Sequence, residues 1–246
     1  PGLGTRIVQL SASADAILVG QAAQPPNVNA FVGTIDLRGF AVVRRPPVDQ
    51  QSRQPAGMRA NFLLNARFEG ISTAEHAIGF VAQGLVRSYF RDCTVFRSLP
   101  GQQKGQQFRG FYLDGKKHIG LAGGNASLFL IDCNVSIGGN PGVSDPVGIL
   151  AEGAFADTFI QGFESSAVAT GIRADGMADT MGSRAIPGHV NLHITGPVID
   201  QCNSVGIDVL NTSTHCQIDI SGAYVAVAPN ASAAVRIRRT GGCITV

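Results

Sequence analysis

Apolar residues recur at period two on either side of a small or turn-prone residue, and the pattern returns along the whole chain. Leu128 to Val135, LFLIDCNV, shows it best, with Leu130, Cys133 and Val135 set around Asp132. Aligned on that central residue, the copies centre on Gly39, Asn65, Asp92, Asp132, Gly162, Gly196 and Gly222. The positions two before, one after and three after read Leu37/Phe40/Val42, Leu63/Ala66/Phe68, Phe90/Cys93/Val95, Leu130/Cys133/Val135, Ile160/Phe163/Ser165, Ile194/Pro197/Ile199 and Ile220/Ala223/Val225, and only Ser165 is polar. Gly, Asn and Asp take the left-handed backbone most readily. Each copy therefore predicts two short strands joined by a sharp bend, because alternation places successive side chains on opposite faces.

The copies lie 26 to 40 residues apart. A period in that range signals a stacked architecture, since one such unit cannot bury its own inner face and its neighbours can. A second strand recurs between the bends. Gly79-Phe80-Val81-Ala82-Gln83-Gly84, Gly110-Phe111-Tyr112-Leu113-Asp114-Gly115, Gly148-Ile149-Leu150-Ala151-Glu152-Gly153 and Gly171-Ile172-Arg173-Ala174-Asp175-Gly176 share one pattern, with looser echoes at Gly206-Ile207-Asp208-Val209 and Ala234-Val235-Arg236-Ile237. The expected fold is an all-β solenoid of about 7 to 9 coils in a single domain. Residues 1–33 form its first coil or cap, 34–237 the repeating coils and 238–246 the end. Excursions at 43–60, 96–109, 136–147 and 177–189 lengthen individual coils, and those starting at 43, 96 and 136 are expected to wall a groove along one side.

Three residues before each centre, where alternation points away from the stack, stand Asp36, Phe62, Tyr89, Phe129, Phe159, His193 and Asp219. Two readings stand for the aromatic run. Either the alternation slips and the rings are core, or they form an outward stripe covered by sister chains of a trimer, by a covering segment or by a stacked sugar.

Composition narrows the function classes. A content of 31 Gly and no Trp fits a β-rich, turn-rich chain. The net charge of +2 is too small to point to nucleic acid or an anionic membrane as the main partner. No run of 18 apolar residues is present, so nothing is expected to span a bilayer and no membrane insertion is expected. The chain opens at Pro1 with no initiator Met or signal peptide in view, so a piece of a longer chain is expected and localisation is not read from targeting. Five cysteines without C-x-x-C spacing argue against a zinc site or a disulfide framework. Cys93 and Cys133 share one inward position of adjacent coils and read as buried small hydrophobes, with a bridge between them as the alternative.

The glycine-led strand ends in Gln83, Asp114, Glu152 and Asp175 in four successive coils. Coils about 4.8 Å apart make Asp114 and Glu152 neighbours and place Asp175 roughly 10 Å from Asp114. Retaining glycosidases hold their carboxyls roughly 5 to 5.5 Å apart and inverting ones roughly 6.5 to 9.5 Å apart, so the column straddles both spacings. Like charges that close also push one pKa upward, as a general acid needs. Asp114, Glu152 and Asp175 are therefore the candidate catalytic residues. A structural reading stands beside this one, because Asp-Gly and Glu-Gly at a strand end are ordinary turn chemistry. Asp92 and Asp132 form another adjacent pair, at a position that favours bending the backbone. Tyr112 and Arg173 point the same way as the column and, with Gln83, are the candidate substrate-binding residues; Arg236 and Arg238 lie further along that face. The five histidines have no metal-ligand spacing, and G-x-S-x-G, P-loop and H-E-x-x-H motifs are absent. No metal or cofactor is expected.

With the coil motif and the glycine-led strands in place, the sequence resembles the right-handed parallel β-helix proteins of the pectate-lyase-like superfamily, and among them bacteriophage and prophage tailspikes. The opening Pro1-Gly2-Leu3-Gly4-Thr5-Arg6-Ile7-Val8 looks like the start of such a helix, and the likeness runs to about residue 237. The resemblance implies a right-handed, single-stranded parallel β-helix and a homotrimer on a virion or outside the cell. It also implies binding, and often cleavage by hydrolysis or elimination, of a bacterial capsule or O-antigen polysaccharide. A non-enzymatic virion shaft and a secreted bacterial polysaccharide lyase are the alternatives, because one β-helix hosts many activities. The Asp-Asp, Gly-His-Gly and Arg-Ile-Lys motifs of polygalacturonases and the Asp-Pro-His-Glu of alginate epimerases are not found.

Overall fold

The computed structural model describes residues 5–11, 14–23, 25, 28–45, 55–98, 107–115, 125–138, 144–153, 155–176, 189–210, 216–238 and 243–246. The middle of each of the excursions at 43–60, 96–109 and 136–147, and with it the expected groove wall, lies outside the described residues, as do nearly all of 177–189, His118 and His215. The chain is all-β, with parallel strands in a curled sheet; one short 3-10 turn, Val28–Ala30, is the only helical element among the described residues.

Every pairing joins a strand to its counterpart about one sequence repeat away, and three stacks result. The post-bend stack is an eight-stranded sheet running from Thr5–Gln9 through Phe40–Arg44, Ser72–Ala74, Thr94–Arg97, Asn134–Ile137, Glu164–Ser166 and Val198–Cys202 to Tyr224–Val227. The glycine-led stack and the pre-bend stack form the second, sixteen-stranded sheet. The 14-residue strand Ile78–Arg91 belongs to both. Its first half pairs with Gln107–Gly115 and its second half with Ala126–Ile131. The corner inside it is made at Gly84 and Arg87, with φ of 63° and 50°.

The bends turn each pre-bend strand into the post-bend strand within two residues. Left-handed backbone occurs at Gly39, Gly70, Asp92, Asp132, Gly162, Gly196 and Gly222. The bends form a ladder of their own, because each N–H from Gly39 to Gly196 donates to a carbonyl of the next coil, as from Asp92 to Ile131 at 3.0 Å and from Gly162 to Thr195 at 2.9 Å.

The copy centred on Asn65 is therefore corrected. Leu37 pairs with Phe68, and Phe68 with Phe90, so Gly70 is the bend of that coil and Ile71 and Thr73 follow it. The coil bends twice, at Asn65 (φ 55°) and again at Gly70 (φ 61°), and Asn65 belongs to a second column that includes Thr34 and Arg87.

The core is a set of stacked apolar columns. Phe80 lies on Phe111 at 5.0 Å and Phe68 on Phe90 at 4.7 Å, ring face to ring face. Burying aromatic area this way dominates core energetics. Cys93 and Cys133 are buried in it as free thiols on adjacent coils, donating to the carbonyls of Phe68 and Phe90 at 3.4 and 3.5 Å.

The outward row also differs from the expected one in one member. Phe62 has φ of 55°, which turns its ring inward against Phe31 at 5.6 Å, and it is buried. The row in register is Asp36, Arg67, Tyr89, Phe129, Phe159, His193 and Asp219. Its rings lie outside the core and half-buried. Phe129, Phe159 and His193 stack at 4.7 and 4.9 Å within 8° of parallel. Both faces of Phe159 and one face each of Phe129 and His193 are thus occupied, and the row presents ring edges outward.

A polar cluster sits at the far end of the post-bend strands. Arg44 and Arg97 are buried around His76, with Arg44 Nε donating to His76 Nδ1 at 3.3 Å and Arg97 Nη1 to its carbonyl at 3.4 Å. Carbonyls of Ser11 and Ala14 receive the other Arg44 nitrogens at 2.6 and 2.9 Å. Burial, reinforced by the Arg44 charge, pushes the His76 imidazole down to about 3.

Candidate functional site

The glycine that leads each strand of the glycine-led stack is required by close approach. A Cβ on Gly110 would lie 2.4 Å from a Val135 methyl and 2.5 Å from the Gly148 carbonyl oxygen; Gly79, Gly171 and Gly206 meet the same obstruction from Val95, Ile199 and Val225. The strand thus lies tight on the post-bend stack. Its alternate residues divide into inward Phe111 and Leu113 and outward Tyr112 and Asp114.

In-register pairing turns those outward residues into two columns. One runs Asn61, Gln83, Asp114, Glu152, Asp175, Leu210, Arg238; the other runs Arg59, Val81, Tyr112, Leu150, Arg173, Asp208, Arg236. The structure places Asp114, Glu152 and Asp175 on three consecutive rungs, with Gln83 on the rung before. Rungs about 4.8 Å apart separate the outer two carboxylates by roughly 10 Å. Gln83 and Asp114 are buried, while Glu152 and Asp175 are half-buried.

Tyr112 ties the columns together. Burial, then the negative charges of Asp114 and Glu152 and a hydrogen bond to the Glu152 carboxylate, push its phenol well above the ordinary range. It is therefore a neutral donor at every pH of interest. Arg109, which the sequence reading left at the edge of a loop, is buried beside this group and donates through Nη1 to the carbonyls of Phe108 and Asp145 at 3.0 and 2.8 Å. Burial lowers its pKa, yet a guanidinium stays charged.

Arg173 bonds the Asp145 carboxylate through Nη1 and Thr170 Oγ through Nη2, both at 3.1 Å, and lies 3.7 Å from Asp208. Asp208 was also missed, although its place in the echo Gly206-Ile207-Asp208-Val209 matches that of Tyr112 and Arg173. It is buried and receives Arg236 on both oxygens at 2.9 and 2.7 Å. Burial works against its ionisation, but the Arg236 hydrogen bonds and the charges of Arg236, Arg238 and Arg173 outweigh it and hold the carboxyl below the usual range.

Chemically, the arrangement offers carboxylates at a one-rung and a two-rung spacing, a neutral phenol donor and fixed guanidinium charge. Among the described residues, no three His, Cys, Asp or Glu side chains converge to hold a metal ion.

Searched against protein-family models and against curated proteins, the chain matches none. Among solved structures it is similar to a rhamnogalacturonan lyase, with a TM-score of 0.50 and 19% identity over 74% of this chain and 50% of that one. An alginate lyase from Paenibacillus sp. str. FPU-7 aligns over 98% of this chain and 90% of its own at 10% identity and a TM-score of 0.35. The chain spans half the length of the rhamnogalacturonan lyase chain it matches. That likeness concerns the fold alone, and with the curled sheet of parallel strands it fits a polysaccharide-lyase-like β fold.

Proposed function

We propose that this chain binds and cleaves a polysaccharide on its glycine-led face, with Asp114, Glu152 and Asp175 as acid, base or nucleophile and with Tyr112, Arg173 and Gln83 holding the sugar. The observation that carries this reading is the in-register alignment of three carboxylates on consecutive rungs of one outward column. A carboxylic acid there protonates the departing glycosidic oxygen, and a neighbouring carboxylate activates water or attacks the anomeric carbon. In an elimination the base instead takes the C5 proton beside a uronate carboxyl, the C4–O bond to the departing sugar breaks as its oxygen is protonated, and a C4–C5 ring double bond forms.

The finer reading is a tailspike-type depolymerase: a right-handed, single-stranded parallel β-helix of about 7 to 9 coils in one domain over residues 1–246, homotrimeric, on a virion or outside the cell, acting on a bacterial capsule or O-antigen. Its support is the repeat of the coil motif together with the half-buried row Tyr89, Phe129, Phe159 and His193, whose edges suit contact with sister chains.

One observation favours a non-cleaving, receptor-binding shaft. Glu152 precedes Gly153 at φ 93°, so its carboxylate also sits at a turn. Incubation with bacterial capsular and O-antigen polysaccharides separates the readings. New reducing ends indicate hydrolysis, a new ultraviolet-absorbing double bond indicates elimination, and binding with neither product selects the shaft.

A further inference from the structure

We infer that Arg173, Arg236 and Arg238, gathered around Asp208, form a binding site for an anionic group of the glycan, a carboxylate or a sulfate or phosphate ester. The inference rests on the reading of the glycine-led face as the glycan face, and it names the substrate class as acidic.

Register builds the cluster. Arg173, Asp208 and Arg236 occupy consecutive rungs of one outward column, and Arg238 stands two residues along the Arg236 strand in the neighbouring column. Asp208 is 2% exposed and serves as the anchor. Arg236 takes both of its oxygens in a fork, which is the strongest carboxylate–guanidinium geometry. Arg238 is left at 3.4 Å from both oxygens and Arg173 at 3.7 Å from one.

A single forked arginine would satisfy a buried aspartate, so the other two need a different account. Each adds repulsion between guanidiniums, which the folded chain recovers only when further negative charge is present. Arg173 finds part of it in Asp145, an exposed carboxylate at 3.1 Å. Arg238 finds none: all its hydrogen bonds run through Nη2, so Nε and Nη1 have no protein partner among the described residues, and the side chain is 49% exposed. Three cations against Asp208 and Asp145 leave one positive charge over, on a planar fork suited to oxyanions.

Position connects the cluster to the carboxylates. Arg238 shares its column with Asp114, Glu152 and Asp175, and lies two rungs, roughly 10 Å, beyond Asp175. A polymer lying along the stack axis places one of its anionic groups on the arginines while a linkage further along it meets the acids. The cluster also offsets the repulsion an acidic polymer would meet from three carboxylates.

The test is calorimetric titration of the full chain with polygalacturonate and with chondroitin sulfate, each beside its carboxyl-reduced or desulfated form. At least one anionic polymer is expected to bind about tenfold or more tightly than its neutralised form, with affinity falling as salt rises. Arg238→Gln is expected to remove that preference while the melting temperature stays within about 2 °C of the parent, since no short contact of Asp208 is lost. Equal binding of charged and neutralised polymers, no binding of any of them, or an unchanged preference in Arg238→Gln overturns the inference. Charge-selective binding without cleavage leaves this site standing and removes the depolymerase reading; cleavage of neutral and acidic glycans alike does the reverse.

Discussion

Tyr112 stands diagonally beside Glu152, one rung before it in the adjoining outward column, and after burial and the Asp114 charge the Glu152 carboxylate helps keep its phenol protonated. One carboxylate of the three thus has a neutral donor at its side. Glu152→Gln and Asp114→Asn are each expected to lower kcat by about 10² to 10⁴, the range of a positioned acid or base. Tyr112→Phe keeps the ring and is expected to cost about tenfold, the worth of one hydrogen bond to a charged group. Product release on whichever glycan proves to be cleaved measures all three, with circular dichroism as the check on folding; full turnover in Glu152→Gln would make the column structural.

His76 gives the fold an acid limit. Its imidazole is held neutral down to about 3 by burial and by Arg44, whereas the unfolded chain takes up the same proton near 6.5. Because the unfolded state binds the extra proton between those values, the stability tied to neutral His76 is complete above pH 6.5 and is lost as the pH falls toward 3. At pH 4 the loss is on the order of 3 kcal/mol. Urea unfolding at pH 7 and pH 4 should show this loss in the parent and a clearly smaller one in His76→Gln.

Gly110→Ala drives a methyl against Val135 and the Gly148 carbonyl. Overpacking of that kind is expected to cost about 2 kcal/mol and lower the melting temperature by roughly 4 to 8 °C. Adding Val135→Ala should return only part of the loss, because the carbonyl stays where it is; full recovery would place the obstruction in the side chain alone.

For the proposed trimer, the edge-presenting row is the contact. Phe129→Ser is expected to shift the sedimentation coefficient from trimer to monomer with little change in the far-ultraviolet spectrum. An unchanged assembly, or a monomeric parent, removes the trimer from the proposal.

The coil repeat was legible because inward columns need apolar residues and left-handed bends need Gly or Asp, and both demands act on local sequence. The register followed wherever a coil bends once before its post-bend strand. It slipped where the coil bends at both Asn65 and Gly70, since alternation cannot say which bend the neighbouring coil matches. Phe62 was misplaced for a related reason: its positive φ reverses the face on which an alternating residue falls. The adjacency of Asp114, Glu152 and Asp175 was readable because a shared Gly-led frame fixes their rung. The buried Arg44 and Arg97 were readable in principle, as both stand five residues after a bend, but a lone arginine beside a long excursion looks like a solvated one. Asp208 was passed over because its strand ends in Val209-Leu210 and not in an acid followed by Gly.

The unbroken run from Ile78 to Arg91 has a mechanical consequence. A rung whose two faces are joined by turns releases one face at a time when force is applied, whereas this rung is welded into both the glycine-led and the pre-bend stack by a single backbone. Pulled by its termini, the chain should unzip inward from both ends in steps of about one coil. The last and highest force peak should belong to the segment spanning that corner.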